Sequence, residues 1–222
     1  MEPQGAAPAP APAELSVGDA ISYGIDAFKK YPGPLVVITL VFLVVSGVIN
    51  GLGSAFQDET LIYILLQLLS AFVGILLYMG MIRVALKVTA GVVPEVNDLF
   101  KTDHFGSYLG AAILVGLAVF VGLLLCIIPG IYVGIMLGFF GFIVIGRGEK
   151  AIDSISASAE LTRNHRGTLF LLGLAVFGIN IVGALLCGVG LLVSYPVTIV
   201  AMGYAYRVLS GETPAPVGAQ GA

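Results

Sequence analysis

FGSYLGAAILVGLAVFVGLLLCIIPGIYVGIMLGFFGFIVIG, residues 105–146, contains no Asp, Glu, Lys or Arg. With a rise of about 1.5 Å per helical residue, this run can cross a hydrocarbon core of about 30 Å twice. A second charge-free run, 167–206, can do the same, and two shorter ones, 31–57 and 60–82, each suffice for one crossing. Six spans follow, over 34–54, 60–82, 107–126, 129–146, 168–187 and 189–206. The bulk composition agrees, with 222 residues, 58% hydrophobic, 10% charged and a mean hydropathy of +1.04. Such a chain is too apolar to be an ordinary soluble domain.

Six crossings place all ten basic residues on one side: Lys29, Lys30, Arg83, Lys87, Lys101, Arg147, Lys150, Arg163, Arg166 and Arg207. Outside them lie only Asp58 and Glu59. The positive-inside rule then assigns both termini to the cytoplasm and the protein to the cell (inner) membrane. A net charge of -3, with acids interleaved among the basic residues, gives no nucleic-acid-binding surface. Lys29, Lys30, Arg83, Arg147, Arg163, Arg166 and Arg207 read instead as cytoplasmic anchors at the headgroup level.

Three cytoplasmic entries share one pattern, an aromatic or His two residues before a Gly: Tyr31 and Gly33, His104 and Gly106, His165 and Gly167. Twenty residues beyond each glycine stand Gly53, Cys126 and Cys187, and an Arg closes each unit at Arg83, Arg147 and Arg207. Upstream, ISYGIDAFKKYPGPL (21–35) and ISASAELTRNHRGTL (155–169) keep Ile, Ser, an acid, a base, Gly and Leu in register. The expectation is an all-α, six-transmembrane-helix bundle built from three parallel repeats, at about 15–91, 92–148 and 149–210. Each repeat is an interfacial helix, a membrane-entry elbow that turns at the glycine, and a helical hairpin. Val17, Ile21, Ile25 and Phe28 supply the apolar face of the first interfacial helix, with Asp26 and Lys30 as an i,i+4 pair. Ile152, Ile155 and Ala159 supply that of the third. Residues 1–14 and 211–222, rich in Pro and Ala, read as disordered tails, and the first lacks the features of a signal peptide.

No ionisable residue falls inside the expected spans, which argues against a proton relay or an intramembrane catalyst. Asn50, Gln67 and Asn180 are the candidates to line a polar pathway; the competing reading is a hydrogen bond from each to a neighbouring helix. Glu95, Asp98, Asp103 and His104 gather in PEVNDLFKTDH (94–104), without recognised metal-ligand spacing; the readings are a metal or acid/base site at the cytoplasmic interface, through Asp98, Asp103 and His104, or a solvated short helix. Cys126 and Cys187, at equivalent outer ends, permit a disulfide or stand as two independent apolar residues. Gly130, Gly134 and Gly138 form a small-residue ladder, and Pro196 interrupts the sixth span.

The run from Ala151 through Ser156 to Leu161, Thr162 and Arg163, followed by Gly167 and an apolar span, resembles a pattern in bacterial multi-pass proteins. These include the membrane domain attached to some glycerophosphodiester phosphodiesterases. The resemblance implies a six-helix membrane domain and carries over no phosphodiesterase chemistry, because no connection between spans can hold a catalytic domain. The reading is a multi-pass integral membrane protein that is not an enzyme and uses no cofactor or metal. It organises lipid, a second copy of itself or a membrane partner. The alternative is a channel or transporter along a pseudo-threefold axis, in which Asn50, Gln67 and Asn180 share one cavity.

Overall fold

The computed structural model describes residues 15–56, 58–186 and 188–218. The described residues form nine α-helices and one short 3-10 turn, with no strand. In chain order they are α1 (Val17–Lys30), α2 (Pro32–Ala55), α3 (Thr60–Thr89), the 3-10 turn Val96–Phe100, α4 (Phe105–Leu125), α5 (Ile127–Leu137), α6 (Phe140–Arg147), α7 (Ala151–Leu161), α8 (Arg166–Leu185) and α9 (Leu191–Leu209). Six stretches are long and apolar enough to cross a bilayer, with α5 and α6 together making one. The protein is therefore a multi-pass membrane protein. The expected second span ends at 82, but α3 continues to Thr89, so Arg83 and Lys87 lie on the last turns of the helix itself.

The helices that leave the basic end, α2, α4 and α8, expose rows of large apolar side chains, among them Leu40, Leu117 and Phe177. Those that return to it, α3, α6 and α9, carry most of the buried residues. An apolar exterior is what a lipid solvent selects, and packing inside it relies on shape and small residues. Ala85 of α3 lies so close to Gly203 of α9 that a Cβ added there would stand 3.0 Å from the alanine methyl. Phe139 and Phe142 stack on Tyr206 with ring centroids 6.3 and 5.6 Å away. Each returning helix is stopped by a glycine in the left-handed region, Gly91, Gly148 or Gly211. After α3 and α9, the Val92 and Glu212 amides reach back to the Lys87 and Arg207 carbonyls, closing the ends as Schellman caps.

The elements that precede the hairpins do not pack on their own hairpin alone. α1 lies against α9 and α8, the 3-10 turn against α3 and α2, and α7 against α6, α4 and α5. Of the apolar faces expected, Val17, Ile21, Phe28 and Ile155 pack partly buried on the core, but the most deeply buried strips are others. On α1 the buried strip is Ala20, Gly24 and Ala27, while Ile25 is exposed. Helix α1 sits so near α9 that a Cβ at Gly24 would collide with the Val197 carbonyl, and bulky residues are turned aside. On α7, Ser154 and Ser158 are buried and Ile152 faces outward. Lys29, not Lys30, pairs with Asp26, at 3.2 Å.

The buried hydroxyls of α7 answer a break between α5 and α6. Helical continuity is lost at Gly138, which strands the Phe139 N–H and the Met136 carbonyl. Ser158 Oγ accepts from the first (3.2 Å) and donates to the second (3.1 Å), and Thr162 Oγ1 also donates to the Met136 carbonyl (3.0 Å). The hydroxyl face must therefore point inward. Of the glycine ladder only Gly130 makes a close approach, with a virtual Cβ 2.9 Å from the Leu123 amide; Gly134 has open space and Gly138 ends the helix.

Candidate functional site

The three arginines that close the expected repeats come together. Arg83, Arg147 and Arg207 line one cavity of about 310 Å³ between the ends of α3, α6 and α9, with Lys87 and Lys101 beside them. Asp98 and Glu212 are the acidic residues of its lining, so five basic groups face two carboxylates. Cations at the ends of returning helices also complement the helix macrodipoles, and this accounts for part of the pattern.

Most of these groups hold structure in place. Arg83, 9% exposed, donates to the carbonyls of Lys101 and Asp103, the latter at 2.6 Å, and so fastens the loop after the 3-10 turn to α3. Asp98 is fully buried and pairs with Lys87 and Lys101, each at 2.8 Å. It also accepts the Glu95 N–H at 3.0 Å in a capping box. Burial pushes the Asp98 carboxyl up. The ammoniums of Lys101 and Lys87 and the Glu95 amide outweigh that effect and hold it below the ordinary aspartate value. The same contact raises the Lys101 ammonium. Arg207 donates to Thr89 Oγ1 (2.8 Å), the Leu86 carbonyl (3.1 Å) and Glu212 (2.6 Å), tying α9 to α3 and to the C-terminal segment. Arg147 is the loosest, 3.7 Å from Glu149 and 5.9 Å from the centre of the Tyr206 ring.

The C-terminal segment, read from its composition as part of a tail, is tied to the bundle as far as Ala215. Its amide donates to the Thr89 carbonyl (2.9 Å), and its carbonyl accepts from the Tyr23 hydroxyl (2.8 Å). Burial pushes that hydroxyl up to about 12, so it stays a donor across the physiological range. Residues 1–14 and 219–222 lie outside the described residues.

The other expected sites are placed as follows. Gly33, Gly106 and Gly167 do not turn the chain. Each is the second residue of its helix, without positive φ, and a Cβ on it would meet open space. The bends lie just before, at Tyr31, at His104 with φ 63, and at His165. Tyr31 is buried, while Lys29, Lys30 and Arg163 are exposed. Arg166 hydrogen-bonds to the Tyr132 hydroxyl, its guanidinium 4.7 Å from the centre of that ring.

Asn50, Gln67 and Asn180 each spend their amide locally. Asn50 donates to the Ser46 carbonyl and Gln67 to the Tyr63 hydroxyl, both on exposed faces. Asn180 donates to Thr198 (3.0 Å) and accepts from Ser194 (3.1 Å), which joins α8 to α9. Asp98, grouped in the sequence with Glu95, Asp103 and His104, is taken up by lysines. Among the described residues no three His, Cys, Asp or Glu side chains form a metal cluster. Cys126 is exposed at the joint of α4 and α5, and Cys187 lies outside the described residues.

Lys87, Lys101, Tyr206 and Glu212 are members of the cavity that sequence reading does not single out. The signal for the lysines was the basic asymmetry, but nothing in the tail composition points to Glu212.

No family model matches the chain, and no solved structure matches it. It is similar to the uncharacterized protein Rv2560 of Mycobacterium tuberculosis, 31% identical over 225 residues, which cover 89% of this chain and 69% of that protein. The uncharacterized protein Mb2590 of Mycobacterium bovis matches with the same identity and coverage. The identity extends over nearly the whole six-span bundle, so the chain belongs to the family of these mycobacterial proteins.

Proposed function

We propose that the protein is a non-catalytic module of the cell membrane that organises anionic lipid at its basic end, with both termini cytoplasmic. The observation that carries this reading is the cavity among Arg83, Arg147 and Arg207, in which five basic residues outnumber the acids. Asp98 and Arg83 are committed to joining helix ends, which leaves no free acid and base pair there. The Ala151 to Arg163 resemblance to phosphodiesterase-attached membrane domains supports a membrane role and rests on that stretch alone.

The module is built as three repeats closed into a ring. The first element of each unit packs on the hairpin of the unit before it, and α1 of the first packs on α9 of the last. Two matches in register support the ring. Gly24 and Ser158 both stand nine residues before an entry glycine, and both meet the returning helix of the neighbouring hairpin. Gly122 and Gly183 both follow their entry glycine by sixteen residues, and both meet a glycine of the returning helix, Gly130 and Gly190.

The alternative, a channel along the ring axis, finds little support. Phe139, Phe142 and Tyr206, each no more than 2% exposed, fill the contact between α6 and α9, and Asn180 closes on Ser194 and Thr198. The test is reconstitution of labelled protein in vesicles with fluorescent neutral or anionic lipid. Energy transfer should be stronger to anionic headgroups, and the vesicles should stay tight to small solutes. Equal transfer to both headgroups, or protein-dependent solute flux, would overturn the proposal.

A further inference from the structure

We propose that the cavity between the ends of α3, α6 and α9 is a binding site for a phosphate-bearing anion, and that Glu212 is its built-in competitor. The inference rests on the reading of the basic end given above and names its ligand.

Charge is the first argument. The lining carries five basic groups against Asp98 and Glu212. Asp98 has both oxygens occupied by lysines and the Glu95 amide, so it acts on Arg83 only through space. Arg83 is 9% exposed, and its described bonds run to neutral carbonyls. A cation so nearly buried calls for a counter-charge. Asp103 acts on Arg83 through space, Glu149 lies 3.7 Å from Arg147, and the negative helix ends add about half an elementary charge each, yet the lining itself still carries more basic groups than acids.

Donor geometry is the second. Arg147, Lys87 and Lys101 keep 39, 31 and 47% of their side chains exposed, so N–H groups from α3, α6 and the loop before α4 remain available around one space. Donors converging from several elements suit a tetrahedral oxyanion better than a planar carboxylate, and Arg in particular grips phosphate in pairs of bonds. About 310 Å³ lies at the lower limit of small-ligand pockets, matching a headgroup or a small phosphorylated solute.

The third argument is Glu212, whose carboxylate already lies 2.6 Å from Arg207 at the cavity edge. Its segment is held by Ala215 between Thr89 and Tyr23, so an oxyanion of the chain itself is kept on one arm of the site. An incoming phosphate competes with it for Arg207.

The experiment uses the full chain in nanodiscs of phosphatidylcholine carrying a small fraction of phosphatidylglycerol. Native mass spectrometry counts retained lipid, and inorganic phosphate or glycerol 3-phosphate is titrated as competitor. The double variant Arg147→Gln, Lys101→Gln alters the more exposed donors and should weaken retention at least tenfold. Glu212→Gln should strengthen it several-fold. Lys29→Gln with Lys150→Gln, which removes equal charge outside the cavity, should leave it unchanged. Retained lipid that neither soluble phosphate displaces identifies a headgroup site; displacement identifies a soluble anion, and both support the proposal. No retention and no phosphate binding by the unaltered chain would overturn it. So would equal losses from the cavity and control variants, or a Glu212→Gln variant no tighter than the original. An unaltered chain that enriches anionic lipid around itself yet binds no anion in the cavity would sink the site and leave the functional reading standing. Specific binding without enrichment would do the reverse.

Discussion

The hairpins α4–α5 and α8–α9 are pinched at the end away from the basic residues, and α2–α3 lacks this pinch among its described residues. A Cβ at Gly122 would lie 2.9 Å from the Gly130 Cα, and one at Gly190 would lie 2.8 Å from the Gly183 Cα. In α2 and α3, Gly47 and Gly74 have open space around them. The returning helices differ in step: α5 and α6 are broken after Leu137, α9 carries Pro196, and α3 runs unbroken for 30 residues. Met136 and Pro196 each stand eleven residues before their closing arginine, so the two irregularities share a register. The difference teaches that backbones touching at one end need a bend to spread toward the other, and that a hairpin without the glycine contact does not.

The largest effect expected from this contrast is at the pinch. Gly190→Leu would drive a side chain into the Gly183 backbone and cost about 3 kcal/mol or more of stability, the upper range for overpacking. Gly47→Leu, facing open space, should be neutral or gain up to about 1 kcal/mol through helix propensity. Equilibrium unfolding in mixed micelles compares them, and equal losses would break the distinction between the hairpins.

Next is the break itself. Ser158→Ala removes one partner each from the Phe139 N–H and the Met136 carbonyl, at a cost of about 1–3 kcal/mol. An unchanged unfolding midpoint would show that Thr162 and the chain ends hold the break without it.

A third prediction uses acid. The Asp98 carboxyl is held below its ordinary value in the fold, so its stabilising contribution is complete above the unfolded aspartate value near 3.8 and fades as pH falls through the folded one. Acid should therefore loosen the 3-10 turn on the first hairpin before it affects the glycine contacts. Hydrogen exchange of residues 96–103 at pH 3 against pH 6 measures this, and Asp98→Asn should abolish the difference. The smallest effect is at Asn180→Ala, where a helix-to-helix bond is worth about 1 kcal/mol or less.

How much of this was legible follows from the physics of each signal. Charge-free length located six spans because a bilayer imposes it, and it failed only at α3, whose apolar helix simply continues past Arg83. The register of the closing arginines was readable as spacing, but their convergence on one cavity depends on how three helices pack. The entry glycines were read as turns by composition, whereas each follows the first residue of a helix and the bend falls to its neighbour. Apolar periodicity found residues that pack on the core, Val17, Ile21, Phe28 and Ile155, but missed the most deeply buried strips of α1 and α7 and placed Ile25 and Ile152 inward. In a lipid solvent, close approach by small residues and rescue of stranded carbonyls decide which face turns inward. The role of Glu212 was hidden because a Pro-rich tail gives no sign of where it docks.

The seating of α1 on α9, sealed by the Tyr23 bond to Ala215 across 192 positions of sequence, also governs the order of assembly. During synthesis α1 emerges before the three hairpins, and its partner α9 only after α2 to α8. Helix α1 must wait at the membrane surface until α9 is inserted, so closure of α1 on α9 is expected to be a late and slow step in the assembly of this bundle.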